Sequence, residues 1–206
     1  MTAAVFQEPS FETPIVVGQQ QAPAGSLWTW ADTAGIVANG GMAGLPNAPD
    51  GVQAAYITGN LASFIQVVNF DADGLYTLTF QDSQLIGASG SSKGKFIVRL
   101  DGASLGTFMP NSAPYGSDGI TDPFLVRAGP HEFRFMGASS GTSLIDAIQL
   151  TFIAAPPAMV PPSTADQVSA ILDEMVGHIV AGGLAGSNIH LRQLELAAAI
   201  KNLLGI

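Results

Sequence analysis

The stretch Leu75-Tyr-Thr-Leu-Thr-Phe80 decides the fold class of this chain. Successive side chains of a strand point to opposite faces, so Leu75, Thr77 and Thr79 share one face and Tyr76, Leu78 and Phe80 the other. One of those faces must be core. Gln53-Ala-Ala-Tyr-Ile-Thr58, Ser63-Phe-Ile-Gln-Val-Val-Asn-Phe70 and Lys95-Phe-Ile-Val-Arg-Leu100 read as strands too, as do His131-Glu-Phe-Arg-Phe-Met136 and Leu144-Ile-Asp-Ala-Ile-Gln-Leu-Thr-Phe152. Between such runs, Asp50-Gly51, Asp73-Gly74, Asp101-Gly102 and Ala128-Gly129-Pro130 place a glycine where a chain reversal needs positive φ. Asp101-Gly102 is the hairpin signal among them. Around nine short strands fit, with connections too short for crossover helices, which predicts a mainly β jelly-roll sandwich over residues 1–153 and disfavours a parallel α/β fold.

The pattern changes after that point. Ala154-Ala-Pro-Pro-Ala-Met-Val-Pro-Pro-Ser163 favours polyproline II and reads as a semi-rigid linker over 154–163. Val168, Ile171, Leu172, Met175, Val176, Ile179 and Val180 then follow a helical period, and Gly182-Gly183 stops it. A second helix is expected from Asn188 to Leu204, its apolar residues spread around much of its surface. A small C-terminal α-helical hairpin over 164–206 is therefore expected to pack on the sandwich, on copies of itself or on another particle protein. Its polar faces offer only Arg192 and Lys201, so membrane binding is not expected.

Composition bounds the function. The 206 residues are 47% hydrophobic and 11% charged, which excludes disorder for the chain as a whole. A net charge of −9 has the wrong sign for nucleic-acid binding. With no cysteine, disulfides, thiolate metal sites and cysteine nucleophiles are all excluded. No stretch reaches transmembrane length, and the first residues do not form a secretory signal. A chain of this kind acting outside its cell is expected to leave by lysis, dedicated export or assembly into a larger particle.

Several segments occur in a telling order: Ser10-Phe-Glu-Thr-Pro14, Gly25-Ser-Leu-Trp-Thr-Trp30, Ala48-Pro-Asp-Gly-Val-Gln-Ala-Ala-Tyr56, Leu100-Asp-Gly-Ala-Ser-Leu-Gly-Thr-Phe108, Ala128-Gly-Pro-His-Glu-Phe-Arg-Phe135 and Ile145-Asp-Ala-Ile-Gln-Leu150. In that order and spacing, they resemble the galactose-binding-like jelly roll of many carbohydrate-binding modules, a form also met in bacterial surface proteins and phage virion proteins. The resemblance covers about residues 8–153 and leaves the C-terminal helices outside it. It implies a structural calcium tying the first strand to the last, held by a glutamate after an aromatic and an aspartate in the final strand. Glu12 and Asp146 stand at those places. Asp146 lies among Leu144, Ile145, Ala147 and Ile148, where an unpartnered carboxylate is costly to bury.

A glycan site needs exposed aromatics beside polar loop residues. Tyr115, as the exposed ring, and Tyr56 are the aromatic candidates, with Asn111, Asp118 and Asp50 to take hydroxyls. Trp28 and Trp30 share a strand face, which points to core instead. His131, His178 and His190 assemble no triad, and no Gly-x-Ser-x-Gly elbow is present, so no enzymatic activity is expected. The favoured expectation is a structural or accessory protein of an assembled particle, most plausibly a phage virion, located on the virion or at an extracellular surface. Its head would bind surface glycans and its helices would mediate assembly. A free carbohydrate-binding or adhesin module is the alternative, and a glycan-active enzyme a third reading.

Overall fold

The computed structural model describes residues 4–90, 93–110 and 113–155, the side chains of Ser117 and Asp118 excepted. The chain divides at Pro156. The expected linker beyond Ala155, the helical hairpin and Asn111 lie outside the described residues. The strands are β1 (Gln19–Gln21), β2 (Thr29–Ala31), β3 (Ala34–Ala38), β4 (Gln53–Thr58), β5 (Ser63–Phe70) and β6 (Gly74–Gln84). Then follow β7 (Phe96–Leu100), β8 (Ala103–Phe108), β9 (Gly116–Ile120), β10 (Phe124–Val126), β11 (Gly129–Gly137) and β12 (Thr142–Ala154). The described residues form twelve strands where around nine are expected, because β1, β2 and β10 have only three residues each, too few to show an alternation.

Two antiparallel sheets face each other. One runs β1-β3-β4-β12-β6-β10 with β9 also paired to β6, and the other runs β2-β5-β11-β7-β8. Tyr76, Leu78 and Phe80 are buried as one face of β6, whereas Leu75, Thr77 and Thr79 on the other face are only partly buried. Across the sandwich they meet Phe64, Val68 and Phe70 of β5, Phe133 and Phe135 of β11, and Phe96 and Val98 of β7. The core is thus built largely of phenylalanine. The Asp101-Gly102 reversal joins β7 to β8, with both residues at positive φ, 49° and 84°. This pair of left-handed residues matches the twist of a two-residue hairpin.

Before β1, residues 4–18 form no strand yet are held firmly. Gln53, on the otherwise apolar inner face of β4, accepts from Val16 N–H (2.6 Å) and donates to the carbonyls of Phe11 (2.8 Å) and Pro14 (3.1 Å). Gln66 of β5 accepts from Gln7 N–H (2.7 Å) and donates to its carbonyl (2.9 Å). A buried amide satisfied in this way replaces a ladder for the segment it holds. Trp28 is core, as its spacing predicts, and its indole N–H donates to the Glu8 carbonyl at 2.9 Å. Among the described residues no helix is long and apolar enough to cross a membrane.

Candidate functional site

Glu12, Asp50 and Asp146 lie near one another where the N-terminal segment crosses the bulge within β12. Phe11 sets the position of Glu12. It adopts a left-handed backbone (φ 59°), uncommon for a bulky residue, and is held there because its ring is fully buried against Trp28, Trp30 and Phe64. Glu12 Oε1 then accepts the N–H groups of Val52 (3.0 Å) and Gln53 (2.9 Å). Gly51, at φ 77°, makes this possible, since a Cβ there would strike the Glu12 carboxylate.

Asp146 is fully buried. Its Oδ2 accepts Asp50 N–H at 3.1 Å and its Oδ1 accepts Ala147 N–H at 2.7 Å. Ala147 has φ 50° at a bulge where β12 slips against β6, and Ile148 N–H donates to the Pro9 carbonyl at 3.1 Å. The bulge thereby turns the strand toward the N-terminal segment. Burial above all, with the carboxylates of Asp50 and Glu12 adding to it, pushes the Asp146 carboxyl up to about 7 against its two N–H bonds. Among the described residues no lysine, arginine or histidine pairs with these three acids. Nor do three or more acidic or histidine side chains there already converge as a metal cluster.

Beside this corner lies a cleft of about 470 Å³. Val5, Phe6, Pro9 and Leu150 form apolar walls, and Ser10, Asp50 and Gln149 supply polar groups. Ser10 Oγ–H donates to Asp50 Oδ2 at 2.5 Å, which fixes the carboxylate at the rim.

The aromatic glycan candidates behave differently from expectation. Tyr56 is 2% exposed, so its ring cannot stack on a sugar. It packs with Val37 and Leu144 on the outer face of the seven-stranded sheet, beneath Met42, Leu45, Leu85 and Tyr115. Tyr115 is the cover of that cluster and not an exposed platform. Its hydroxyl is enclosed with no hydrogen-bond partner among the described residues, and burial, then Asp146 and Asp82, push its pKa up. The reason is geometric: alternation puts one residue in two of β4 and β12 on the outer face, and the 39–48 loop covers that face. Asp50 is exposed as a loop residue should be. The side chain of Asp118 is outside the described residues. Sequence reasoning missed the cleft residues Val5, Phe6, Pro9, Ser10 and Gln149.

No family model matches the chain, and no curated protein matches it. Among solved structures, a cyclase from Fischerella sp. TAU in complex with 4-(1H-indol-3-yl)butan-2-one is 15% identical. That alignment covers 76% of this chain and 100% of the cyclase, with a TM-score of 0.52. A family 36 carbohydrate-binding module in complex with calcium and xylotriose is 12% identical over 66% of this chain and 100% of the module, TM-score 0.46. A family 61 module in complex with β-1,4-galactotriose is 16% identical over 74% and 100%, also at 0.46. The described residues form the antiparallel two-sheet β-sandwich that the sequence predicts, a fold similar to that of the cyclase. A likeness of fold at 15% identity carries no function with it, so function must be argued from the site.

Proposed function

We propose that the jelly-roll head is a non-catalytic carbohydrate-recognition module of a particle-borne or surface protein, most plausibly of a phage virion, with residues 164–206 serving assembly. The observation that carries the recognition role is the cleft. Its volume is that of a small-ligand site, and its apolar walls with a few fixed polar groups suit the C–H face and the hydroxyls of a sugar. The family 36 and 61 modules, which bind xylotriose and β-1,4-galactotriose, offer a precedent on a similar sandwich.

A non-catalytic role is supported by the available acids and bases. Asp146, raised to about 7, is the group a catalyst would recruit, yet it is fully buried and does not line the cleft. His131 has both ring nitrogens engaged, Nδ1 with Asp101 (2.6 Å) and Nε2 with the Arg127 carbonyl (3.0 Å).

Structural calcium fits the acidic corner. Its donors are all oxygen, and among the described residues no basic group pairs with its negative charge. Glu12, Asp146 and Asp50 would hold the ion together with backbone carbonyls, and the bound charge would lock the N-terminal segment to β12.

Two experiments test this reading. Isothermal titration of the full chain against neutral galactan and xylan oligosaccharides is expected to find binding that Asp50→Ala weakens about tenfold, a loss of about 1.4 kcal/mol. Unchanged binding in that variant removes the cleft from the proposal. Light scattering is expected to show a defined oligomer for the full chain and a folded monomer once residues 164–206 are deleted. A monomer in both cases ends the assembly role.

A further inference from the structure

The outer face of the five-stranded sheet carries an arrangement that the cleft does not explain. Only seven lysines and arginines occur in this acidic chain. The five among the described residues, Lys93, Lys95, Arg99, Arg127 and Arg134, all lie in β7 and β11 or in the segments leading into them. Arg99 and Arg134 stand directly opposite each other in the β7–β11 register. Both point away from the core, since Val98, Leu100, Phe133 and Phe135 fill the inner positions.

Like charges at directly opposed positions destabilise a sheet, so folding does not account for the pair. Arg134 is engaged by Glu132, with Nε and Nη2 donating to Oε1 at 3.3 and 3.1 Å. Arg99 has no carboxylate partner among the described residues. One terminal nitrogen donates to the Gly102 carbonyl at 2.8 Å, and its buried Nε has no partner. Opposed side chains in a sheet start about 5 Å apart, so one oxyanion placed between the two guanidinium forks can accept from both. Ile65 and Val67 on β5, Ile97 on β7 and Met136 on β11 share this face and surround the pair with apolar surface. An apolar face around two guanidinium groups suits a chain of pyranose rings lying across the strands.

The geometry points to a second binding site on this sheet, with Arg99 and Arg134 clamping the oxyanion substituent, carboxylate or sulfate, of an acidic polysaccharide. The inference rests on the carbohydrate-recognition reading but uses a different face from the cleft. Its test is titration of the full chain with polygalacturonate, with carrageenan, with neutral galactan and with polyglutamate. The expected result is salt-sensitive binding to polygalacturonate or carrageenan, which also tells carboxylate from sulfate. Arg99→Gln and Arg134→Gln are each expected to weaken it tenfold or more. Arg99→Lys, which keeps the charge and loses the fork, should fall between. Near-ultraviolet circular dichroism identical to the parent chain establishes that these variants are folded.

Three outcomes overturn the site. Acidic polysaccharide binding can be unchanged in folded Arg99→Gln. Polyglutamate can bind equally well, which would make the face a protein-docking surface. Binding can be confined to neutral galactan and abolished by Asp50→Ala, which removes this site and leaves the cleft standing. Binding to none of the saccharides removes both.

Discussion

Phe64→Ala is expected to destabilise the sandwich by about 3–5 kcal/mol, the range for emptying a fully buried phenylalanine site. Phe64 is 0% exposed and sits at the meeting point of both sheets and the N-terminal segment. Its ring stacks on Phe135 at 4.8 Å and meets Trp28 at 5.1 Å, Trp30 at 5.3 Å and Phe11 at 5.4 Å. Losing it leaves a cavity and also releases Phe11, whose left-handed backbone depends on that packing and positions Glu12. Against a total stability of about 5–15 kcal/mol, the variant should melt at least about 10 °C lower or fail to fold. Val67→Ala on the same strand, at a residue 60% exposed, is the control and should change stability by no more than about 0.5 kcal/mol. Thermal melts of the three chains decide the matter. Equal melting temperatures for Phe64→Ala and the parent would show that the aromatic cluster does not hold the fold.

The second large effect is a pH dependence set by Asp146. Its folded value, about 7, lies above the ordinary 3.8. Between those values the folded chain keeps a proton that the unfolded chain has released, so stability is full at low pH and falls as pH rises toward 7. At 1.36 kcal/mol per unit the loss approaches about 4 kcal/mol. About two of those pH units, about 2.7 kcal/mol, fall between pH 5 and pH 8, so in a chelator the full chain is expected to melt about 5–10 °C lower at pH 8 than at pH 5. Calcium, which binds the ionised carboxylate, should restore the melting temperature at pH 8. Asp146→Asn cannot ionise and should remove both the Asp146 contribution to the slope and the calcium response. If calcium leaves the parent unchanged at pH 8 while the slope persists, the buried acid is real and the metal reading fails. If no difference from Asp146→Asn appears at either pH, the carboxyl titrates at its ordinary value.

These two effects meet in one place. The aromatic core holds Phe11, Phe11 presents Glu12, and Glu12 holds the turn whose Asp50 N–H reaches Asp146. Damage to the core should therefore weaken any calcium response as well. The cleft beside Asp50 should follow, because Ser10 and Pro9 belong to the same segment.

The strands were legible because alternation is a local property. Residues 53–58 and 63–70 form strands with the bounds read from the sequence, and the Asp101-Gly102 hairpin is where two turn residues demanded it. The resemblance set Glu12 and Asp146 at one site; in the structure the Glu12 charge helps raise the Asp146 carboxyl, while the described residues hold no group of three such side chains placed to bind a metal. Burial of individual aromatics was not legible. Tyr56 and Tyr115 look like loop and strand-edge rings in sequence, yet the 39–48 loop folds over the outer face of the seven-stranded sheet and encloses them.

By itself, then, the sequence determined the longer strands, the turn positions, the β class and the acidic residues available for a metal. All of these depend on neighbours within a few positions along the chain. The tertiary structure alone decided the order β1-β3-β4-β12-β6-β10, the capture of residues 4–18 by Gln53 and Gln66, the cleft, and the register that sets Arg99 opposite Arg134. Beyond the neighbouring β1–β3–β4 pairings, each of these joins residues 35 to 145 positions apart, between segments such as 5–10 and 147–150 or 99 and 134, and no local pattern carries that information.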